Sequence, residues 1–146
     1  MKAISIQQPF AALIANEQKK LETRTWKTDY RGPLLICAGP ISHDMHDLFV
    51  FYNFETSLLG LNNRSAKSIF ELDKKMAFTF GKALCVVDLV GVKKFEKSNA
   101  MQDDACCDWY PGAFAWELEN VRMVEPVEVK GQLRIFNVPD ELVKYL

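Results

Sequence analysis

Residues 34–38, Leu-Leu-Ile-Cys-Ala, form an almost wholly apolar run that follows the turn-forming Arg31-Gly32-Pro33. Five residues are too few for a buried helix, so the run suggests a buried strand. A buried strand commits the chain to a sheet with company. Residues 2–6 and 21–26 alternate in strand fashion, and further strands are expected at 83–92, 114–123 and 133–137. Between the first two, Pro9 suits the first turn of a helix whose apolar face is Phe10, Leu13 and Ile14. Asn16 is expected to end that helix in a left-handed conformation. The middle of the chain is helical in pattern. Ser42 is a candidate N-cap for a stripe of Met45, Leu48, Phe49 and Tyr52, and Ser65 for one of Ile69, Leu72, Asp73 and Met76, with Gly81 as the stop. Asp140 is expected to cap a short last helix with Leu142, Val143 and Leu146 packed inward. The fold class implied is α+β: a small barrel or curved sheet with flanking helices and a helical insertion at about 42–80.

Nothing divides the chain. Its 146 residues carry no repeat, low-complexity tract or long linker, and are read as one domain, 1–146. No apolar run approaches the ~18 residues of a membrane span, and no secretory leader is visible at the start. Four cysteines, Cys37, Cys85, Cys106 and Cys107, fall short of a disulfide framework, so a reduced, cytoplasmic protein is the expectation. The formal net charge is −1, which disfavours a protein that coats nucleic acid by bulk electrostatics. The charge is uneven, however. Residues 1–40 sum to +3, residues 41–95 to +1 and residues 96–146 to −5. The whole positive excess of the first segment falls between Lys19 and Arg31, where Lys19, Lys20, Arg24, Lys27 and Arg31 outnumber Glu22 and Asp29.

Within that stretch, strand alternation places Glu22, Arg24 and Trp26 on one face, with Lys19 at the strand's entrance. The residues leave two readings open. One is a solvated strand with a surface ion pair. The other is a cleft for an anionic, planar ligand, in which Glu22 accepts hydrogen bonds from base N–H groups, Arg24 and Lys19 hold phosphate, and Trp26 stacks. Trp109-Tyr110-Pro111-Gly112 likewise forms either one wall of such a cleft or a cover for the barrel end. Trp116 is expected in the core. His43, His46 and Asp47 share one helical face and have the types for zinc, but a third strong ligand is missing and a solvated face is favoured. Asp103, Asp104 and Asp108 read as an exposed acidic loop. No metal and no cofactor is expected. Seven aromatic residues between Phe49 and Phe80 either pack within the insertion or form a patch for a dimer or protein partner.

Ser5-Ile6-Gln7-Gln8-Pro9-Phe10-Ala11, then Lys19-Lys20-Leu21-Glu22-Thr23-Arg24-Thr25-Trp26, then Tyr30-Arg31-Gly32-Pro33-Leu34-Leu35-Ile36 together resemble the ASCH (activating signal cointegrator homology) family. That family has a GxKxxExR signature after an N-terminal helix and shares the PUA-like β-barrel of several RNA-binding domains. Residues 112–118 and 129–133 look like its closing strands. Lys19, Glu22 and Arg24 match the motif's Lys, Glu and Arg; Glu17 replaces its Gly, and Phe10 stands where the family often has Trp. A bulky side chain at Glu17 is expected to narrow or re-aim the cleft entrance. The resemblance implies binding of RNA or a nucleotide in a confined cleft, with Lys19, Glu22, Arg24, Trp26, Arg31, Trp109 and Tyr110 as the ligand-binding set. Glu22 would recognise a base, Arg24 would orient Glu22 or hold phosphate, Lys19 would meet phosphate or a reacting oxygen, and Trp26 or Tyr110 would stack. Some relatives resemble amidohydrolases that deacetylate acetylcytidine with a Lys, a Thr and a Glu, which would make Lys19 and Glu22 catalytic. The Thr position is Glu22 here, and Thr23 and Thr25 are expected on the opposite face. Others look like ribonucleases, with Lys19 and Arg24 placed to stabilise charge on phosphorus. A protein-interaction module using the aromatic insertion is the remaining alternative.

Overall fold

A computed structural model describes residues 1–41, 76 and 79–146; the helical pair expected at about 42–80, its histidines and its aromatic patch lie outside the described residues. The chain runs β1 (Lys2–Ile6), α1 (Phe10–Ala15), β2 (Leu21–Arg24), β3 (Gly32–Ala38), β4 (Ala83–Lys94), α2 (Asn99–Ala105), β5 (Phe114–Met123) and β6 (Ile135–Asn137), then a 3-10 turn at Asp140–Leu142. The six strands of the described residues join one sheet in the order β2-β5-β4-β3-β1-β6. β1 and β3 are parallel, because α1 and β2 intervene as a crossover; the other pairs are antiparallel.

The apolar run sits in the middle of this order and is covered twice. Leu34, Ile36 and Ala38 pack with Ile14 of α1, Leu89 and Trp116. Leu35 and Cys37 pack on the other face with Ala3, Val86, Val124 and Phe136. Alternate residues thus enter different cores, which is why the strand shows no polar face. Burial in these layers pushes the thiols of Cys37 and Cys85 up to about 12, so both are inert hydrophobes. Trp116 is fully buried, edge-on to Trp26 with ring centroids 4.7 Å apart. Among the described residues, no helix is long and apolar enough to cross a membrane.

Several local expectations need correction. The helix α1 does end at Asn16, but Asn16 has φ −85° and the left-handed residue is Glu17, at φ 63°. The motif's Gly position is therefore where the backbone needs the left-handed region, and a side chain there costs about 1 kcal/mol relative to glycine. Glu17 is exposed and lines a small depression with Ile14, Lys20 and Leu118; that depression shares Lys19 with the cleft described below, but Glu17 is not in the cleft lining and does not narrow it. Glu17→Gly is expected to raise stability by about 1 kcal/mol, read as a higher denaturant midpoint at unchanged slope. An unchanged or lower midpoint would mean that the glutamate side chain makes a compensating contact.

At the C-terminus the strand begins at Ile135, and Leu133 is 93% exposed. No side chain caps the last turn, and Leu142 and Leu146 face solvent; Val143 packs against the second core. The acidic loop is also different. Residues 99–105 form α2, because the Ser98 hydroxyl caps it by accepting from Met101 N at 3.2 Å.

Candidate functional site

β2 is an edge strand, paired with β5 so that Glu22 lies opposite Trp116 and Arg24 opposite Phe114. Helix α2 packs against its outer side. The strand ends at Arg24, and the chain bends at Thr25-Trp26. Glu22 and Arg24 therefore share a face as their spacing predicts, whereas Trp26 leaves it for the core. A cleft of about 450 Å³ opens beside this edge, lined by Ser5 and Ile6 at the end of β1, Gln7 just after it, Phe10 of α1, Lys19, Glu22, Thr23 and Arg24, and Cys107 and Tyr110 after α2.

The charged centre lies at the bottom of the cleft. The side chains of Lys19 and Glu22 are only 2% and 8% exposed, and that of Arg24 is 28% exposed. Lys19 Nζ donates to the Ala105 carbonyl at 2.5 Å, stands 3.6 Å from Glu22 Oε1, and lies 5.3 Å from the centre of the Phe10 ring. Backbone oxygen, carboxylate and aromatic face thus surround the ammonium. Glu22 Oε1 also accepts the Thr23 backbone N–H at 3.0 Å, and Oε2 accepts Arg24 Nη2 at 3.1 Å. A carboxylate has about four acceptor sites. Two of them accept hydrogen bonds and the Lys19 ammonium stands beside Oε1 at ion-pair distance, so Oε2 keeps an acceptor site open. Arg24 Nη2 donates a second bond, to the Ser5 carbonyl at 3.1 Å, while Nη1 and Nε make no hydrogen bond among the described residues.

The remaining predicted residues divide. Tyr110 lines the cleft and meets Phe95 edge-on at 6.2 Å. Its neighbour Trp109 covers the barrel end instead: its indole N–H donates to the Phe95 carbonyl at 2.9 Å, and it packs with Leu21 and Phe95. The pair is therefore split between the cleft lining and the barrel end. Arg31 is exposed and turned back on its own loop, donating to the Thr28 and Tyr30 carbonyls. Trp26 lies outside the cleft lining, with the Arg134 guanidinium 4.7 Å from its ring centre.

Ser5, Gln7, Thr23 and Cys107 line the cleft without having been predicted for it. Thr23 is the instructive one. Alternation turns it away from Glu22, yet a cleft along a sheet edge is reached from both faces of the edge strand, and Thr23 Oγ1 lies 3.8 Å from Cys107 Sγ. The signal available for α2 was Ser98, with Met101 and Ala105 spaced as one helical face behind it.

A curled six-strand half-barrel flanked by α1 and α2, with this cleft at its edge, defines the α+β, PUA-like class of fold. The chain belongs to the ASCH domain family, whose model matches residues 4–128. The crystal structure of an ASCH protein from Zymomonas mobilis is similar over 96% of this chain and 88% of that chain, with a TM-score of 0.56 and 12% sequence identity. Two single-substitution variants of the Zymomonas mobilis protein give TM-scores of 0.53 and 0.52 at 10% identity, over 96% of this chain and 91% and 89% of theirs. At such identities the likeness is one of fold. Comparison with curated proteins gives no match.

Proposed function

We propose that the chain binds RNA or a nucleotide by taking one base into the cleft over Glu22. The observation that carries this reading is the buried Glu22 carboxylate, held from three sides with one acceptor site still open, at the bottom of a cleft flanked by Phe10 and Tyr110. An open charged acceptor suits the N–H edge of a base, and the aromatic rings suit its faces. Lys19 is enclosed by its own partners, which fits it to positioning the carboxylate rather than gripping phosphate. Arg24 is more exposed and keeps Nη1 uncommitted among the described residues, so it is the residue suited to phosphate.

Calorimetric titration with the four nucleoside monophosphates and with single-stranded RNA tests the reading. Stacking on one aromatic is worth about 1–3 kcal/mol, so Tyr110→Ala is expected to weaken binding roughly 5- to 150-fold. Full affinity in both Tyr110→Ala and Phe10→Ala would remove the base from this cleft.

The placement of Thr23 in the lining favours one second reading: hydrolysis of an amide on a modified nucleoside such as acetylcytidine. Glu22 would take a proton from water as it adds to the acyl carbon, and the proton would pass to the departing amine as the C–N bond breaks. Acetate release that depends on Glu22 separates this reading from binding alone.

A further inference from the structure

The wall between Arg24 and Ser5 has two sides. Both residues line the cleft over Glu22, and both line a second cleft of about 650 Å³. Its floor is Ile4 and Ser5 of β1, and its far wall is the segment 129–134, between the 81–83 region and β6. That segment is fixed at both ends. Val129 N donates to the Gly81 carbonyl at 3.0 Å, and Ile135 pairs with Ile4. In its middle, Gly131 lies against Ser5 so closely that a Cβ there would stand 2.9 Å from the Ser5 hydroxyl oxygen.

The second cleft has the chemistry of a nucleotide site. Arg24, Lys130 and Arg134 line it, and among the described residues no carboxylate does. Lys130 and Arg134 form no ion pair among the described residues. They are a basic exception inside a C-terminal third that sums to −5. Between the cations the exposed apolar surface is made by Val129 and a Leu133 that is 93% exposed. Cations around an apolar floor match a sugar-phosphate and the face of a base.

We infer that this second cleft holds the nucleotide adjoining the one over Glu22, so that the ligand class is single-stranded RNA of two or more nucleotides rather than a free nucleotide. The inference rests on the base-over-Glu22 reading. The linking phosphodiester lies at Arg24, whose uncommitted Nη1 is the donor for it. Lys130 and Arg134 take the next phosphate, and Leu133 covers the second base or its ribose.

The test compares a nucleoside monophosphate with a short single-stranded RNA of mixed sequence, on the full chain and on Lys130→Ala/Arg134→Ala. The parent protein is expected to bind the RNA about tenfold or more tightly than the monophosphate, with the extra affinity falling as salt rises. The double substitution should erase that advantage, lower the salt slope by about 0.7 per lost phosphate contact, and leave monophosphate affinity as it was. Because Arg134 also packs over Trp26, Lys130→Glu at an exposed site is a second variant, expected to show the same selective loss without a change in melting temperature. RNA no tighter than monophosphate, or an RNA advantage that survives both variants, overturns the second cleft while the base cleft stands. A parent protein that binds neither ligand overturns the base cleft, and this extension with it.

Discussion

Lys19→Ala is expected to remove about 3 kcal/mol of folding stability, the low end for breaking one side of a buried ion pair. The ammonium is 2% exposed and serves two partners that have no substitute: the Ala105 carbonyl at 2.5 Å and Glu22 Oε1 at 3.6 Å. Without it, the last turn of α2 loses one of its links to the segment before β2, keeping the Lys20 N–H bond to the Asp104 carbonyl, and a carboxylate 8% exposed keeps Arg24 as its only cation among the described residues. In a chain of this length the loss corresponds to a fall in melting temperature of about 10 °C. The companion experiment is Lys19→Met combined with Glu22→Leu. Removing both charges abolishes the orphaned carboxylate, so the double variant is expected to be more stable than the sum of its singles by at least 1 kcal/mol. Arg24 tolerates the change, because it reaches solvent and retains the Ser5 carbonyl. Denaturant unfolding at constant slope measures all three. A single-variant cost below about 1 kcal/mol would place Lys19 with ordinary surface pairs and dissolve the positioning role assigned to it.

What the sequence made legible follows from local rules, and what it hid follows from contacts between distant segments. Residues 34–38 announced a strand covered on both faces because every position was apolar, and the structure puts alternate residues into two cores. Residues 114–123 alternate clearly, and β5 has those bounds. Glu22 and Arg24 meet because a strand has a period of two. Trp26 obeys the same count but not the same geometry, since β2 ends at Arg24 and the bend sends the indole toward Trp116. The partner of Lys19 is 86 residues away, on a helix that Asp103 and Asp104, with Asp108 just beyond it, disguised as a loop. Thr23 was assigned by face, and a face rule fails along a sheet edge. The motif's Gly was legible as a departure, but the reason for it, a positive φ at Glu17, needed the backbone. The second cleft had a trace in the sequence, two cations and no acid across 129–134, but only the approach of Gly131 to Ser5 joins that trace to Arg24.

Glu22→Gln has the largest consequence for recognition. The carboxylate has an acceptor site open to a ligand on Oε2, with the Thr23 N–H bonded to Oε1, the Lys19 ammonium beside Oε1 at ion-pair distance and Arg24 bonded to Oε2. A single hydrogen bond to a charged group is worth about 1.5–3 kcal/mol, so its loss should weaken the best-bound nucleotide roughly 10- to 150-fold. The amide does more than remove charge. One of its two ends is an NH2 group, and either orientation aims that donor at Arg24 or at the Thr23 N–H and Lys19, so the side chain is driven out of the geometry that holds the acceptor. Bases with an exocyclic amine should lose most, since they bring the donor that Oε2 accepts; uracil, with one ring N–H between two carbonyls, should lose least. The ranking of the four monophosphates is therefore expected to flatten as well as fall. Titrations run well below the variant's melting temperature separate this from unfolding. A uniform loss with the ranking intact would mean that Glu22 shapes the cleft without touching the base, and an unchanged affinity would take the base out of the cleft altogether.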